Sequence, residues 1–200
     1  MNHIPRDSAP PLLDIDNLRI SFQTAHGRTE AVRGISLRMG RERVAVVGES
    51  GSGKSITFRS LFGLLPATAS VRADRMQLQG QDLLSLDRRG LRAIRGRRIG
   101  MVVQDPKQGL DPLMTIGRQL IEMLRLHRKV PAAGAYQRAV ELLAEVHIRD
   151  PKRVMGLYPH EVSGGMAQRA MLAMILSAEP ELLIADEATS ALDAVVRHRI

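Results

Sequence analysis

An eight-residue glycine-rich segment restricts the possible fold of this 200-residue chain more than any other feature of its sequence. The segment fits the pattern G-x-x-x-x-G-K-[ST], and its residues are Gly48, Glu49, Ser50, Gly51, Ser52, Gly53, Lys54 and Ser55. The apolar run 43–47 before it predicts a buried strand, and residues 56–65 after it predict a helix that Pro66 ends. The segment therefore stands between a strand and a helix, which is the context that this motif requires.

The residue types of this segment, which we call the phosphate loop, suit a group that carries phosphate. Phosphate oxygens need backbone N–H donors that approach closely, a cation, a hydroxyl for Mg²⁺ and the positive end of a helix. Gly51 and Gly53 permit the close approach, Lys54 supplies the cation, and Ser55 supplies the hydroxyl. The sequence therefore predicts a site for a Mg²⁺-bound nucleotide, with an idle glycine turn as the alternative.

Composition places the chain among folded globular proteins. Apolar residues make up 44% of the chain and charged residues 25%, which argues against disorder. The chain has no cysteine, so disulfides, thiolate metal sites and cysteine nucleophiles are excluded. The net charge of +8 fits an anionic partner, which could be a nucleotide, a nucleic acid or a lipid surface.

Apolar alternation and periodicity predict the other elements. Leu18, Ile20 and Phe22 alternate with polar residues as in a strand, and residues 99–103 and 182–185 predict short buried strands. Spacings of three and four predict helices in the centre of the chain, with faces formed by Ile116, Leu120, Met123 and Leu124 and by Tyr136, Val140 and Leu143. Strands towards both ends with helices between them predict an α/β layer that carries a helical subdomain.

Two carboxylates follow the predicted strand 182–185 directly. Asp186 is suited to holding Mg²⁺, and Glu187 is suited to polarising a water molecule. Strand ends often finish in acidic residues, so this pair alone is a weak signal. Together with the phosphate loop it indicates a site for hydrolysis.

A second candidate anion site is formed by Ser163, Gly164 and Gly165, which precede an apolar helix predicted over residues 166–177. Serine is a favoured N-cap, and the two glycines let another backbone come close. The sequence therefore predicts either an anion-binding helix start or a plain helix cap.

Five motifs in a fixed order resemble a known family. In chain order they read GESGSGKS, VVQDP, VSGGMAQR, LLIADE and SALD. From about residue 12 to residue 200 the chain resembles the ATP-binding subunit of ABC transporters, and QDPKQGLDPLMTIGRQL and SGGMAQRAMLAM resemble its peptide/nickel importer branch. The resemblance implies an α/β fold of the P-loop NTPase, ABC type, with a mixed sheet core and an inserted helical subdomain over about residues 107–165. Prolines predict a flexible arm over residues 1–11.

The resemblance also implies ATP and Mg²⁺ as cofactors and assigns residues to them. Ser55 and Asp186 would bind Mg²⁺, and Gln104 would contact Mg²⁺ or the attacking water and report the nucleotide state to the helical subdomain. Glu187 would be the general base. Phe22 would stack on adenine, although its place in an alternating strand favours core packing about equally.

Other residues would act between subunits. By resemblance, Ser163, Gly164 and Gly165 form the signature that meets the γ-phosphate held by a second ATP-binding subunit, and Asp193 lies in the loop that joins the two sites. The remaining implied partners are two membrane-spanning permease subunits and, indirectly, an extracytoplasmic solute-binding protein. The chain would lie at the cytoplasmic face of the inner membrane, and no nucleic acid partner is expected.

Three features depart from the family pattern. Met166 stands where most transporters have glutamine, but the peptide-importer branch often has methionine there, so this residue supports the branch. Ala188 stands where many importers have proline, a change that the family tolerates. The sequence ends at Ile200, before a strand and a histidine that in the family contacts the γ-phosphate. We therefore expect the final strands to be missing, and the 200-residue chain alone to bind nucleotide poorly and to hydrolyse it slowly.

A DNA-handling ATPase is the main alternative, because repair and chromosome-maintenance ATPases share the phosphate loop and the signature. Six arginines could bind backbone phosphate, namely Arg88, Arg89, Arg92, Arg95, Arg97 and Arg98. No long coiled-coil insertion separates Gly53 from Ser163, and the absence of cysteine excludes a zinc module of the excision-repair kind. Transport is therefore the favoured interpretation.

Overall fold

The computed structural model describes residues 10–25, 27–103 and 109–185. The chain divides into two compact units, Met1–Arg92 and Ala93–Ile200. Four predicted site residues lie outside the described residues, so their placement stays a prediction: Gln104, Asp186, Glu187 and Asp193. The same holds for residues 1–9 of the arm predicted over residues 1–11.

An antiparallel sheet forms the base of the first unit. Its strands are β1 (Leu13–Thr24), β2 (Gly27–Met39), β3 (Ala69–Arg72), β4 (Arg75–Leu78) and β5 (Gln81–Asp82). The order is β2-β1-β4-β5, and β3 also pairs with β1. The strand predicted from Leu18 and Ile20 is confirmed, because both side chains are fully buried in β1.

A bulge in β1 explains why its buried positions do not keep a strict period of two. Ile15 and Leu18 are both buried, although they are three residues apart. The register with β2 shifts between them, and Asn17 adopts a φ of 49°. Asparagine tolerates this left-handed conformation, and its Nδ2 donates to the Asp74 carboxylate at 3.0 Å. The extra residue returns the strand to the same core face.

The buried strand predicted over residues 43–47 is wrong. These residues form no strand, and Val44, Val46 and Val47 expose 44%, 45% and 91% of their surface. Their residue types favour a strand, but a strand also needs a neighbour to complete its hydrogen-bond ladder. The strand pairings of the described residues all involve other segments.

The helix predicted over residues 56–65 is confirmed in kind but not in its bounds. Helix α1 runs over Lys54–Leu61. Its C-cap is Phe62, and the next residue, Gly63, adopts a φ of 58°. The Gly63 N–H donates to the Ser60 carbonyl at 3.0 Å and the Leu64 N–H to the Arg59 carbonyl at 3.1 Å. This is a Schellman motif, and it ends the helix before Pro66 does.

Helices and a parallel strand pair form the second unit. The strands β6 (Ile99–Val102) and β7 (Leu182–Ala185) confirm the two short buried strands to within one residue. The helices are α3 (Ile116–Arg128), α4 (Ala132–Glu145), α5 (Pro151–Met155) and α6 (Gly164–Ser177), with a 3₁₀ turn at Pro159–Glu161. A further helix, α2 (Arg88–Ile94), spans the boundary between the units. Among the described residues, no helix combines the length and apolar character needed to cross a membrane.

The predicted helical faces are confirmed on α3 and partly wrong on α4. Ile116, Leu120 and Leu124 of α3 are buried, as the spacing predicts. On α4 the buried face includes Ala135 and Ala139, whereas Tyr136 is 49% exposed. Small residues let the helices of this unit pack closely, so the large ring lies on the solvent side.

Candidate functional site

The phosphate loop has the backbone that its glycines predict. Gly51 and Gly53 adopt φ values of +81° and +93°, in the left-handed region that glycine enters without strain. Gly53 is the N-cap of α1, and no side chain caps this helix end. The first turn of α1 also contains no acidic residue. The first turn of α1 therefore places no carboxylate of its own at the positive end of the helix.

The Lys54 side chain folds back over the loop. Its ammonium donates to the Gly48 carbonyl at 2.6 Å, to the Glu49 carbonyl at 2.7 Å and to the Ser52 hydroxyl at 3.3 Å. The cation is thus held within the loop by two carbonyl oxygens and a hydroxyl. A phosphate group can take it over without breaking an ion pair among the described residues.

The two left-handed glycines differ in the space around them. A Cβ placed on Gly51 would meet nothing within 4 Å, so an oxyanion can approach the loop backbone from that side. A Cβ on Gly53 would lie 3.0 Å from the Ala31 carbonyl oxygen and 3.1 Å from Val32 Cγ2. The loop therefore fits a phosphate chain at Gly51 and rests tightly on β2 at Gly53.

This difference gives a test of the loop geometry. Gly51→Ala is expected to lower the free energy of unfolding by about 1–2 kcal/mol, since only the left-handed backbone is strained. Gly53→Ala is expected to cost more, by about 1–3 kcal/mol, because the methyl group also overpacks against Ala31 and Val32. Urea denaturation of the two variants measures both losses, and equal losses would contradict the packing described for Gly53.

Phe22 lies in β1 of the same unit and is half-buried. It pairs with Thr29 of β2 and with Ala69 of β3. The two interpretations of Phe22 therefore stay open, since a half-buried ring serves core packing and leaves part of its surface for a base. Its stacking on adenine stays a prediction.

Ser163 caps helix α6, as the sequence predicts. Its hydroxyl accepts a hydrogen bond from the Met166 N–H at 3.3 Å, and α6 begins at Gly164. A Cβ on Gly164 or Gly165 would meet nothing within 4 Å, and all three residues are exposed. The cap is thus present, and the two glycines leave the helix start open; binding of a γ-phosphate there stays a prediction.

Strands β6 and β7 run parallel and in register, with Val102 opposite Ala185. The chain continues from this edge of the strand pair towards Gln104 and towards Asp186, both outside the described residues. Within residues 10–25, 27–103 and 109–185 no three histidine, aspartate or glutamate side chains come together as a metal site. The Mg²⁺ ligands that the sequence predicts there stay predictions.

The predicted basic cluster is partly neutralised within the second unit. Arg98 makes a bidentate ion pair with Glu181, with Nε–Oε1 and Nη2–Oε2 distances of 3.0 Å. Arg97 is exposed, and burial together with its charge lowers the pKa of His127 below its usual value. The ion pair with Glu181 therefore neutralises one of the six arginines of this cluster.

One aromatic pair was not predicted from the sequence. The rings of Tyr158 and His160 stack with their centroids 5.6 Å apart and their planes at 19°. Both residues are exposed and precede Ser163 closely. The only signal in the sequence was that Tyr158 is one of two tyrosines in a chain without tryptophan.

Comparison with known families agrees with these features. The family described as ABC transporter matches residues 32–190, from strand β2 through the phosphate loop and β7. The chain belongs to the ABC transporter family. The resemblance inferred from the five motifs is thereby confirmed.

Curated relatives are ATP-binding proteins of peptide transporters. The chain is 44% identical over 191 residues to the probable peptide ABC transporter ATP-binding protein y4tR of Sinorhizobium fredii, with 94% of this chain and 57% of that protein covered. It is 42% identical to the oligopeptide transport ATP-binding protein OppD of Bacillus subtilis, with 94% and 53% covered. The chain spans about half the length of the curated relatives it matches.

Solved structures confirm the predicted fold class. The dimeric post-hydrolysis structure of the ATP-binding cassette MJ0796, bound to ADP and Pi, matches with a TM-score of 0.74 and 27% identity, covering 91% of this chain and 76% of that chain. The cbiO1 subunit of the cbiONQ ABC transporter complex from Clostridium perfringens matches with a TM-score of 0.70 and 23% identity, covering 94% and 72%. The fold is therefore that of an ABC-type P-loop cassette.

Proposed function

We propose that this ABC transporter chain is an ATP-binding subunit that couples ATP binding and hydrolysis to the import of peptides. The geometry of the phosphate loop carries the proposal. Gly51 is open to an oxyanion, Lys54 lies within the loop, and the N-cap of α1 is Gly53, which makes no side-chain cap hydrogen bond. The relatives named for peptide and oligopeptide transport support peptides as the cargo, ahead of nickel chelates or opines.

The proposed site assigns each step of hydrolysis to residues of this chain. The loop backbone and Lys54 would hold the phosphate oxygens of ATP. Ser55, Gln104 and Asp186 would hold Mg²⁺, which when bound neutralises charge on the phosphates. Glu187 would accept a proton from the attacking water.

Two such subunits would close over two ATP molecules. Ser163, Gly164 and Gly165 of one subunit would meet the γ-phosphate held by the other, and Asp193 would lie between the two sites. The dimeric state of the cassette MJ0796 and the open start of α6 support this arrangement. Two permease subunits and an extracytoplasmic solute-binding protein would complete the importer, with this chain on the cytoplasmic face of the membrane.

Co-purification and uptake test the proposed function. Affinity-tagged chain isolated from membranes of its native host is expected to bring membrane-spanning subunits with it. Vesicles that contain this assembly are expected to accumulate a labelled oligopeptide only when ATP is supplied. Failure to recover membrane-spanning subunits, together with salt-sensitive DNA binding at physiological ionic strength, would favour the DNA-handling alternative.

A further inference from the structure

We propose that Tyr158 and His160 form a stacking platform for the nucleobase of the ATP held in the phosphate loop of the second subunit. The inference rests on the proposed function, because it requires two subunits that close over nucleotide. It adds a base-binding surface to a signature that is otherwise expected to contact only phosphate. The ligand class is the purine ring of a nucleoside triphosphate.

The geometry of the pair suits a third aromatic ring. The two rings are nearly parallel, at 19°, and their 5.6 Å separation is that of an offset stack. Tyr158 remains 38% exposed, and His160 is exposed as well. A pair of stacked rings with solvent on its outer side offers the flat surface on which nucleic acid bases stack.

The platform is fixed before any ligand arrives. The Tyr158 N–H donates to the Glu161 carboxylate at 2.8 Å, and the Glu161 N–H donates to the Tyr158 carbonyl at 3.0 Å. Pro159 lies between Tyr158 and His160 in the sequence. It is buried, and its ring fixes the backbone of the 3₁₀ turn. Binding a base therefore costs little ordering of the backbone that carries the two rings.

The position of the pair matches the length of a nucleotide. One 3₁₀ turn and the extended Val162 separate Tyr158 from Ser163, which is on the order of 10 Å of chain. The distance from a purine to the terminal phosphate of an extended nucleoside triphosphate is comparable. A γ-phosphate at the open start of α6 would thus place the base of the same molecule within reach of the rings.

Tyr136 provides a matched control. It is the other tyrosine of the chain, it is 49% exposed on α4, and no ring stacks on it among the described residues. If replacing Tyr158 weakens ATP-driven association of two chains and replacing Tyr136 does not, the loss of affinity comes from the stacking platform. Removal of an exposed phenol in general would affect both variants.

Photolabelling in mixed dimers tests the placement of the base. A full chain that carries Lys54→Ala, and so lacks its own nucleotide, is mixed with unmodified chain, 8-azido-ATP and Mg²⁺, and then irradiated. We expect the label on the peptide of the Lys54→Ala chain that contains Tyr158, and only when unmodified chain is present. Label restricted to the unmodified chain would overturn the proposal. If neither chain is labelled, the phosphate loop does not bind the nucleotide, and the proposed function is contradicted as well.

Affinity measurements give an independent readout. Tyr158→Ala in both chains removes one base stack at each of the two sites and is expected to weaken ATP-driven association of two chains about 100-fold, because each stack contributes about tenfold. Tyr158→Phe and Tyr136→Ala should associate as the unmodified chain does, and analytical ultracentrifugation at several ATP concentrations measures all three. Unchanged association of Tyr158→Ala, or a loss of the same size in Tyr158→Phe, would contradict a stacking role.

Discussion

In the assembled transporter, replacement of Lys54 by alanine is expected to abolish tight binding of Mg·ATP while the fold persists. Lys54 is the only cation of the phosphate loop, and its ammonium lies 2.6 Å from the Gly48 carbonyl, over the surface where phosphate would sit. Removal of one member of a charged, hydrogen-bonded pair costs about 2–5 kcal/mol. The dissociation constant should therefore rise by roughly 30-fold to several thousand-fold, as measured by titration calorimetry in Mg²⁺.

Lys152→Ala is the control for this substitution. Lys152 is exposed on α5, outside the phosphate loop, and its replacement removes the same unit charge. The Lys152→Ala variant should bind Mg·ATP with the same affinity as the unmodified chain. Normal ATP binding by the Lys54→Ala variant would show that the glycine-rich segment is not the nucleotide site, and the proposed transport function would lose its main support.

The sequence predicted strands well where their neighbours also lie within the described chain. Strands β6 and β7 pair with each other, and each was predicted to within one residue. Residues 43–47 have the same apolar character, yet they form no strand. Residue type alone measures the tendency to be buried, whereas a strand exists only when a second strand satisfies its backbone groups. That information is not local, so the sequence pattern of 43–47 could not contain it.

The candidate site shows the same division between local and non-local information. The left-handed turns at Gly51 and Gly53 and the Ser163 cap follow from residue types at fixed spacing, and all were predictable. The contact between Gly53 and Ala31 joins residues 22 positions apart and became visible only in the folded chain. The Tyr158 stack depends on a 3₁₀ turn that a reciprocal pair of hydrogen bonds with Glu161 closes.

Replacement of Glu187 by glutamine is expected to keep ATP binding and to stop hydrolysis. The residue follows β7 by two positions and is the proposed general base. An amide of the same shape cannot accept the proton of the attacking water, and positioned general bases contribute about 10²–10⁴-fold to rate. Phosphate release by the assembled transporter should therefore fall by about that factor, with the dissociation constant for Mg·ATP unchanged.

Glu179→Gln separates this effect from the loss of any nearby negative charge. Glu179 precedes β7 and pairs with Arg128 at 2.9 Å on an exposed surface, where such a pair contributes little. Its variant should hydrolyse ATP normally. Because the Glu187→Gln variant binds ATP without consuming it, two chains should remain closed over nucleotide and sediment as a dimer. Rapid hydrolysis by that variant would show that another residue is the general base. The proposed ATP binding by the phosphate loop would then be unaffected, and the role proposed for Glu187 would be wrong.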